Sequence, residues 1–108
     1  MLTGHHLIAG HWVAGDTTFA SSPATGPALT YAVGTPAHIN TAVQAAEAAY
    51  PSFSALPRAT RAAFLDRIAD EIEARGAEIT AIGTAETGLP TARLEGERGR
   101  TTRSESVV

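Results

Sequence analysis

Glu86-Thr87-Gly88-Leu89-Pro90-Thr91-Ala92-Arg93-Leu94-Glu95-Gly96-Glu97-Arg98-Gly99-Arg100-Thr101-Thr102 reads as the end of one helix and the start of the next. Gly88 is placed to take the left-handed conformation that closes a helix, with Leu89 packing back on the last turn. Pro90 follows where a first-turn residue has no hydrogen bond to lose. The second helix then carries crowded charges and two interior glycines. Each interior glycine costs roughly 1 kcal/mol relative to alanine. Gly96 and Gly99 are therefore expected to admit the close approach of another segment or of a ligand.

Upstream, the pattern stays helical back to residue 35. Ala77 to Thr87 suits a short helix with Ile79 and Ile82 inward. A stronger helix spans about Arg58 to Arg75, with Phe64, Leu65, Ile68 and Ile72 as its buried face and Gly76 as its stop. Arg67–Glu71 and Glu71–Arg75 are i,i+4 pairs for its wet side. Thr35-Pro36 is a helix start, a capping hydroxyl followed by proline at the first helical position. Ile39, Val43, Ala46 and Tyr50 make one stripe of that helix, and Pro51 should end it.

Residues 1–34 change character. Leu7-Ile8-Ala9-Gly10-His11-Trp12-Val13 reads as a β-hairpin around a glycine turn. Phe19-Ala20-Ser21-Ser22 is a third strand, expected to pair with Leu29-Thr30-Tyr31-Ala32-Val33 beyond the turn Pro23-Ala24-Thr25-Gly26. The expected organisation is a β-hairpin region over 1–34, a helical part over 35–102 and a divergent tail over 103–108. The whole is two β-hairpins plus three to four α-helices.

Of the 108 residues, 44% are hydrophobic, but about half of these are alanine, which has little surface to bury. Leu, Ile, Val and Phe together sit near the roughly 20% level below which a packed core becomes doubtful. Such a chain suits helices that pack against something else. With no cysteine there is no disulfide, no thiolate metal site and no cysteine nucleophile. No run is long and apolar enough for a membrane span or a signal peptide, so a soluble cytoplasmic protein is the default. The formal charge of -3 argues against a general nucleic-acid binder.

Few residues suggest chemistry by themselves. His5, His6 and His11 offer imidazoles, but no carboxylate or cysteine nearby completes a ligand set, and no metal is expected. Gly83 to Gly88 has the four-residue gap of a phosphate loop without its lysine and hydroxyl residue. Gly96-Glu97-Arg98-Gly99 formally matches the loop of a KH domain, yet puts glutamate where phosphate would lie, and a surface turn is the simpler reading. Arg93 and Arg100, seven residues apart, fall on one face of a continuous helix, and arginine suits two-point capture of a carboxylate. The bland alternative is internal pairing, such as Arg93–Glu97.

The order of several pieces adds a resemblance. Ile8-Ala9-Gly10-His11-Trp12-Val13, then Pro23-Ala24-Thr25-Gly26, then Ala42-Val43-Gln44-Ala45-Ala46 resembles the start of an NAD(P)-dependent aldehyde dehydrogenase. Arg61-Ala62-Ala63-Phe64-Leu65-Asp66-Arg67-Ile68-Ala69-Asp70-Glu71-Ile72-Glu73, leading to Glu86-Thr87-Gly88, continues it. The resemblance covers about residues 7 to 102, and the segment from Leu89 to Thr102 is most like the 2-oxoglutarate semialdehyde (2,5-dioxopentanoate) dehydrogenases. It implies an α/β parent fold with a Rossmann-like coenzyme domain, a catalytic domain and an oligomerisation arm. It also implies a cysteine nucleophile, a glutamate base and NAD or NADP as cofactor, all carried by residues beyond this chain, in a homo-oligomer acting on a small aldehyde.

One position carries over. In similar enzymes this last helix lines the substrate tunnel, which implies that Arg100, helped by Arg98 or Arg93, binds the distal carboxylate of a semialdehyde. No catalytic or cofactor-binding residue carries over, and no cofactor, nucleic acid or membrane is expected for this chain alone. Arg103-Ser104-Glu105-Ser106-Val107-Val108 departs from the family's apolar continuation, as a truncated or frame-shifted reading frame would. The resulting expectation is an N-terminal fragment, inactive alone. The alternative is a short interaction protein that folds on a partner, such as the rest of a split dehydrogenase.

Overall fold

The Ala9-Gly10 dipeptide fixes the first hairpin. Both residues have positive φ, 51° and 81°, the backbone that lets a two-residue turn match the twist of its strands. A computed structural model describes residues 3–105. In it β1 (His6–Ile8) pairs antiparallel with β2 (His11–Val13), in the register His6↔Val13, Leu7↔Trp12 and Ile8↔His11. Strand alternation buries Ile8 and turns Leu7 and Trp12 outward. β3 (Thr18–Ala20) pairs with β4 (Thr30–Ala32), with the Phe19 and Tyr31 rings 5.6 Å apart across the ladder. Ser21 extends this ladder: its amide donates to the Leu29 carbonyl at 2.8 Å, and its hydroxyl accepts from the Leu29 amide at 3.0 Å.

Four helices follow: α1 (Pro36–Ser54), α2 (Arg58–Ala74), α3 (Gly76–Thr87) and α4 (Thr91–Glu105). The expected helix count and strand pairing agree with this order. Residues 106–108 of the expected divergent tail lie outside the described residues, while the backbone of residues 103–105 continues α4.

The described residues form two compact units. One comprises the residues up to Ser22 with Pro27–Ala55; the other comprises Pro23–Gly26 with the residues from Leu56 onward. In the first, α1 lies on β1. In the second, α4 packs against both α2 and α3. The Pro23–Gly26 turn belongs with the helices for a clear reason. The Ala24 and Thr25 amides donate to the Glu86 and Ala85 carbonyls at 3.2 and 3.0 Å, satisfying acceptors that the last turn of α3 leaves open. Gly88 ends α3 with φ 72° and donates to the Thr84 carbonyl, as its sequence context implies.

Several expectations are corrected. Pro51 lies inside α1 rather than at its end. It removes one amide, on an exposed stretch where water can serve the freed carbonyl, and the Ser52 and Ser54 hydroxyls donate back to the Ala49 and Pro51 carbonyls. The stripe of α1 is present but uncovered, with Ile39 62% and Tyr50 70% exposed. On α2 the buried residue is Ala69. Leu65, Ile68 and Ile72 are half-buried, and Phe64 is exposed, as is Ile79 on α3.

The glycines are redistributed too. Gly76 does not stop α2 with a left-handed residue; it opens α3 and is buried. A Cβ on Gly76 would lie 2.8 Å from Arg98 Cζ, and one on Gly83 would lie 2.9 Å from Leu94 Cδ1. Nothing lies within 4 Å of such an atom on Gly96, and Gly99 faces only the end of the Arg103 side chain at 3.6 Å. Close approach thus occurs at the glycines of α3, which receive side chains from α4, and not at those of α4.

Candidate functional site

The arginines of α4 separate into two groups because the helix has one inward and one outward face. Arg98 points inward, with only 19% of its side chain exposed. Its Nε donates to Glu73 Oε2 on α2 at 3.1 Å. Its Nη1 donates to the Gly76 carbonyl at 3.1 Å and to Thr80 Oγ1 at 2.7 Å, both on α3. One turn on, Thr102 Oγ1 donates to the other Glu73 oxygen at 3.0 Å. Glu73 therefore holds two successive turns of α4, and a single guanidinium ties three helices together. The missing side chain at Gly76 is what lets that guanidinium reach the α3 carbonyl.

Arg93 and Arg100 share the outward face, as their seven-residue spacing requires. Arg93 Nε donates to Glu97 Oε1 at 3.3 Å, and Arg100 Nη2 donates to Glu97 Oε2 at 2.7 Å. One carboxylate thus bridges both guanidinium groups. The Arg100 side chain is 77% exposed, so this is a solvated cluster in which charge pairing is weak and exchangeable. A cluster of two cations around one carboxylate keeps a net positive charge, which favours the approach of a second carboxylate. The sequence showed the Arg93–Glu97 pair through its i,i+4 spacing. The partners of Arg98 lie 18 to 25 residues away, and no local pattern points to them.

The other candidates fall elsewhere. Gly96-Glu97-Arg98-Gly99 is the middle of a continuous helix, not a loop between two helices, and Gly83 to Gly88 is the last turn of α3. Among the described residues no three His, Asp or Glu side chains gather where they would hold a metal ion. His6 lies against His38 of α1, their ring centroids 5.2 Å apart. An open groove of about 680 Å³ runs over α2 and the start of α3; its floor includes Phe64, Ile68, Ile72 and Ile79, and Arg67 and Arg75 border it. None of Arg93, Arg98 and Arg100 lines this groove.

Known proteins give this arrangement a context. Residues 12–105 match the description "Aldehyde dehydrogenase family". The chain belongs to the aldehyde dehydrogenase family. It is 45% identical over 105 residues to α-ketoglutaric semialdehyde dehydrogenase 2 of Azospirillum brasilense, covering 93% of this chain and 20% of that protein. It is 43% identical over 88 residues to 5-carboxymethyl-2-hydroxymuconate semialdehyde dehydrogenase of Escherichia coli, covering 80% and 19%. The fold is similar to part of an NAD-dependent benzaldehyde dehydrogenase from Corynebacterium glutamicum, with a TM-score of 0.88 at 24% identity, covering 98% of this chain and 24% of the other. The chain therefore spans about a fifth of the length of the curated relatives it matches.

That span bears on what these residues can hold. A dinucleotide cradle uses a Gly-x-Gly-x-x-Gly turn between a strand of a parallel sheet and a helix. The sequence contains no such run, and the described strands pair antiparallel. The helical part of the chain carries the arginine face on α4. Among the described residues no helix is long and apolar enough to cross a membrane.

Proposed function

We propose that this chain is the N-terminal part of a semialdehyde dehydrogenase that oxidises an acidic semialdehyde, 2-oxoglutarate semialdehyde by preference, to the acid with NAD or NADP. The observation that carries this reading is the 45% identity, over nearly the whole chain, to a relative named for α-ketoglutaric semialdehyde. In this reading the chain does not turn over aldehydes by itself. Family chemistry needs a thiolate nucleophile, and there is no cysteine among the 108 residues. The chain's own contribution is recognition: Arg100, with Arg93 beside it on Glu97, takes the distal carboxylate of the substrate. Arg98 supports that face from below through Glu73 and Thr80. The full-length assembly is a homo-oligomer working in the cytoplasm.

A second reading rests on the uncovered stripe of α1, where Ile39, Val43 and Tyr50 are all more than half exposed. In it the chain works in trans, folding on the separate remainder of a split dehydrogenase.

One chimera tests the first reading: this chain in place of the first fifth of a full-length relative. The chain alone should give no NAD(P)H from any semialdehyde, and turnover by it would refute the fragment reading. The chimera should oxidise both an acidic semialdehyde and a neutral aldehyde. Arg100→Met in the chimera should raise KM for the acidic substrate roughly 10- to 100-fold, the worth of a hydrogen bond between charged groups. KM for the neutral one should stay within about two-fold, as expected where no such bond is lost. Equal increases for both would end the Arg100 assignment.

A further inference from the structure

The N-terminus of α1 holds a feature that dehydrogenase chemistry does not use. Thr35 caps the helix, and its Oγ1 accepts from the His38 amide at 3.2 Å. A capping box is completed when the side chain three residues on accepts the cap residue's own amide, and that position ordinarily carries glutamate or glutamine. Here it is histidine, whose Nδ1 accepts from the Thr35 amide at 3.3 Å.

The substitution changes what the cap responds to. An imidazole nitrogen accepts only through the lone pair of its unprotonated form, so this bond requires a neutral ring with its proton on Nε2. Glutamine has no titration, and glutamate has none near neutrality, whereas imidazole takes up a proton in the pH 5 to 8 interval. Once Nδ1 is protonated, two donors face each other across the cap. A positive charge then also sits at the positive end of the helix dipole, and the first turn of α1 carries no acidic residue to offset it.

The strand on which α1 packs adds a second imidazole. The His6 ring of β1 lies 5.2 Å from that of His38, at 55°, and its Nε2 is buried without a hydrogen-bond partner. His6 is the titratable group that faces His38 from β1. The neighbouring His5 and His11 are both exposed, His11 opposite Ile8 on the same face of the hairpin as His6. Among the described residues neither His6 nor His38 makes an ion pair with a carboxylate.

We propose that Thr35, His38 and His6 form a proton-sensitive latch that holds the first turn of α1 against β1 while the imidazoles are neutral and releases it when His38 is protonated. All three belong to the same compact unit, so the latch works inside that unit and is independent of the substrate reading above.

Heteronuclear NMR of the whole chain between pH 8 and pH 5 tests it. The Thr35 amide proton should move upfield toward its unbonded position on acidification, with the same midpoint as the His38 ring protons. In His38→Gln the capping box persists, and the Thr35 amide should stay fixed across the range. In His38→Ala it should sit at the acid-limit position throughout. A Thr35 amide that ignores His38 titration, that titrates equally in His38→Gln, or that is already unbonded at pH 8 overturns the latch.

Discussion

At the scale of single residues, Arg98 and Gly76 act as a unit. The guanidinium that meets Glu73, Thr80 and the Gly76 carbonyl can lie there because position 76 has no side chain. Arg98→Ala leaves Glu73 and Thr80 short of a partner and should cost about 1–3 kcal/mol. Gly76→Ala drives a methyl into a guanidinium already held by three hydrogen bonds, and overpacking of this kind costs about 1–3 kcal/mol. In the Arg98→Ala background the clash is gone and the φ of residue 76 is not positive. There Gly76→Ala should be neutral or gain up to roughly 1 kcal/mol of helix propensity. A double-mutant cycle read by urea unfolding should thus give an interaction energy of at least about 1 kcal/mol. Additive effects would show that the two positions are not coupled. Arg100→Ala and Arg93→Ala, on the wet face, should each change stability by less than about 0.5 kcal/mol.

At the scale of elements, the caps and turns were legible because each depends on residues adjacent in sequence. Thr35-Pro36, Gly88 and Ala9-Gly10 all do what their local chemistry implies. The uses of the helix-interior glycines were not legible, because what approaches a glycine comes from another element. The physical expectation, that an interior glycine admits a neighbour, holds at Gly76 and Gly83 of α3 and fails at Gly96 of α4. Pro51 was misread for a related reason: whether a proline ends a helix depends on what serves the freed carbonyl, and on the exposed α1 water is enough. These differences make α4 testable. With nothing within 4 Å of an added Cβ, Gly96→Ala should stabilise by about 0.5–1 kcal/mol through helix propensity and a less flexible unfolded chain. Gly88→Ala, at φ 72°, should destabilise by roughly 1 kcal/mol, the cost of a left-handed residue with a Cβ. Opposite signs for two glycine-to-alanine changes eight residues apart, read as shifts in thermal midpoint, check the assignment. A loss at Gly96 would mean that a neighbour does lie against it.

At the scale of the whole molecule, the question is what burial remains to stabilise these units. Among the described residues the buried apolar side chains are Ile8, Ala32 and Ala69, and none is below 2% exposure. Trp12, Ile39, Tyr50 and Phe64 are each more than half exposed. Fully burying a large apolar side chain is worth about 1.5–3 kcal/mol, and most of that is unrealised here. Ordering each backbone residue costs roughly 1–2 kcal/mol, so the chain by itself should be marginally stable although α1 has a side-chain N-cap and α3 a left-handed glycine C-cap. Its urea transition should be shallow, with a slope below the roughly 1 kcal/mol/M typical of small cooperative domains. The exposed faces should bind anilinonaphthalene sulfonate, as loosely packed states do. The single tryptophan, Trp12, is 64% exposed and should be quenched by acrylamide nearly as readily as free indole. Joining the chain to the remaining four-fifths of a dehydrogenase should suppress dye binding and steepen unfolding together, because the same apolar faces govern both. A steep transition and no dye binding in the chain alone would show that these faces need no cover, and would count against the family fragment as the state in which this sequence is stable.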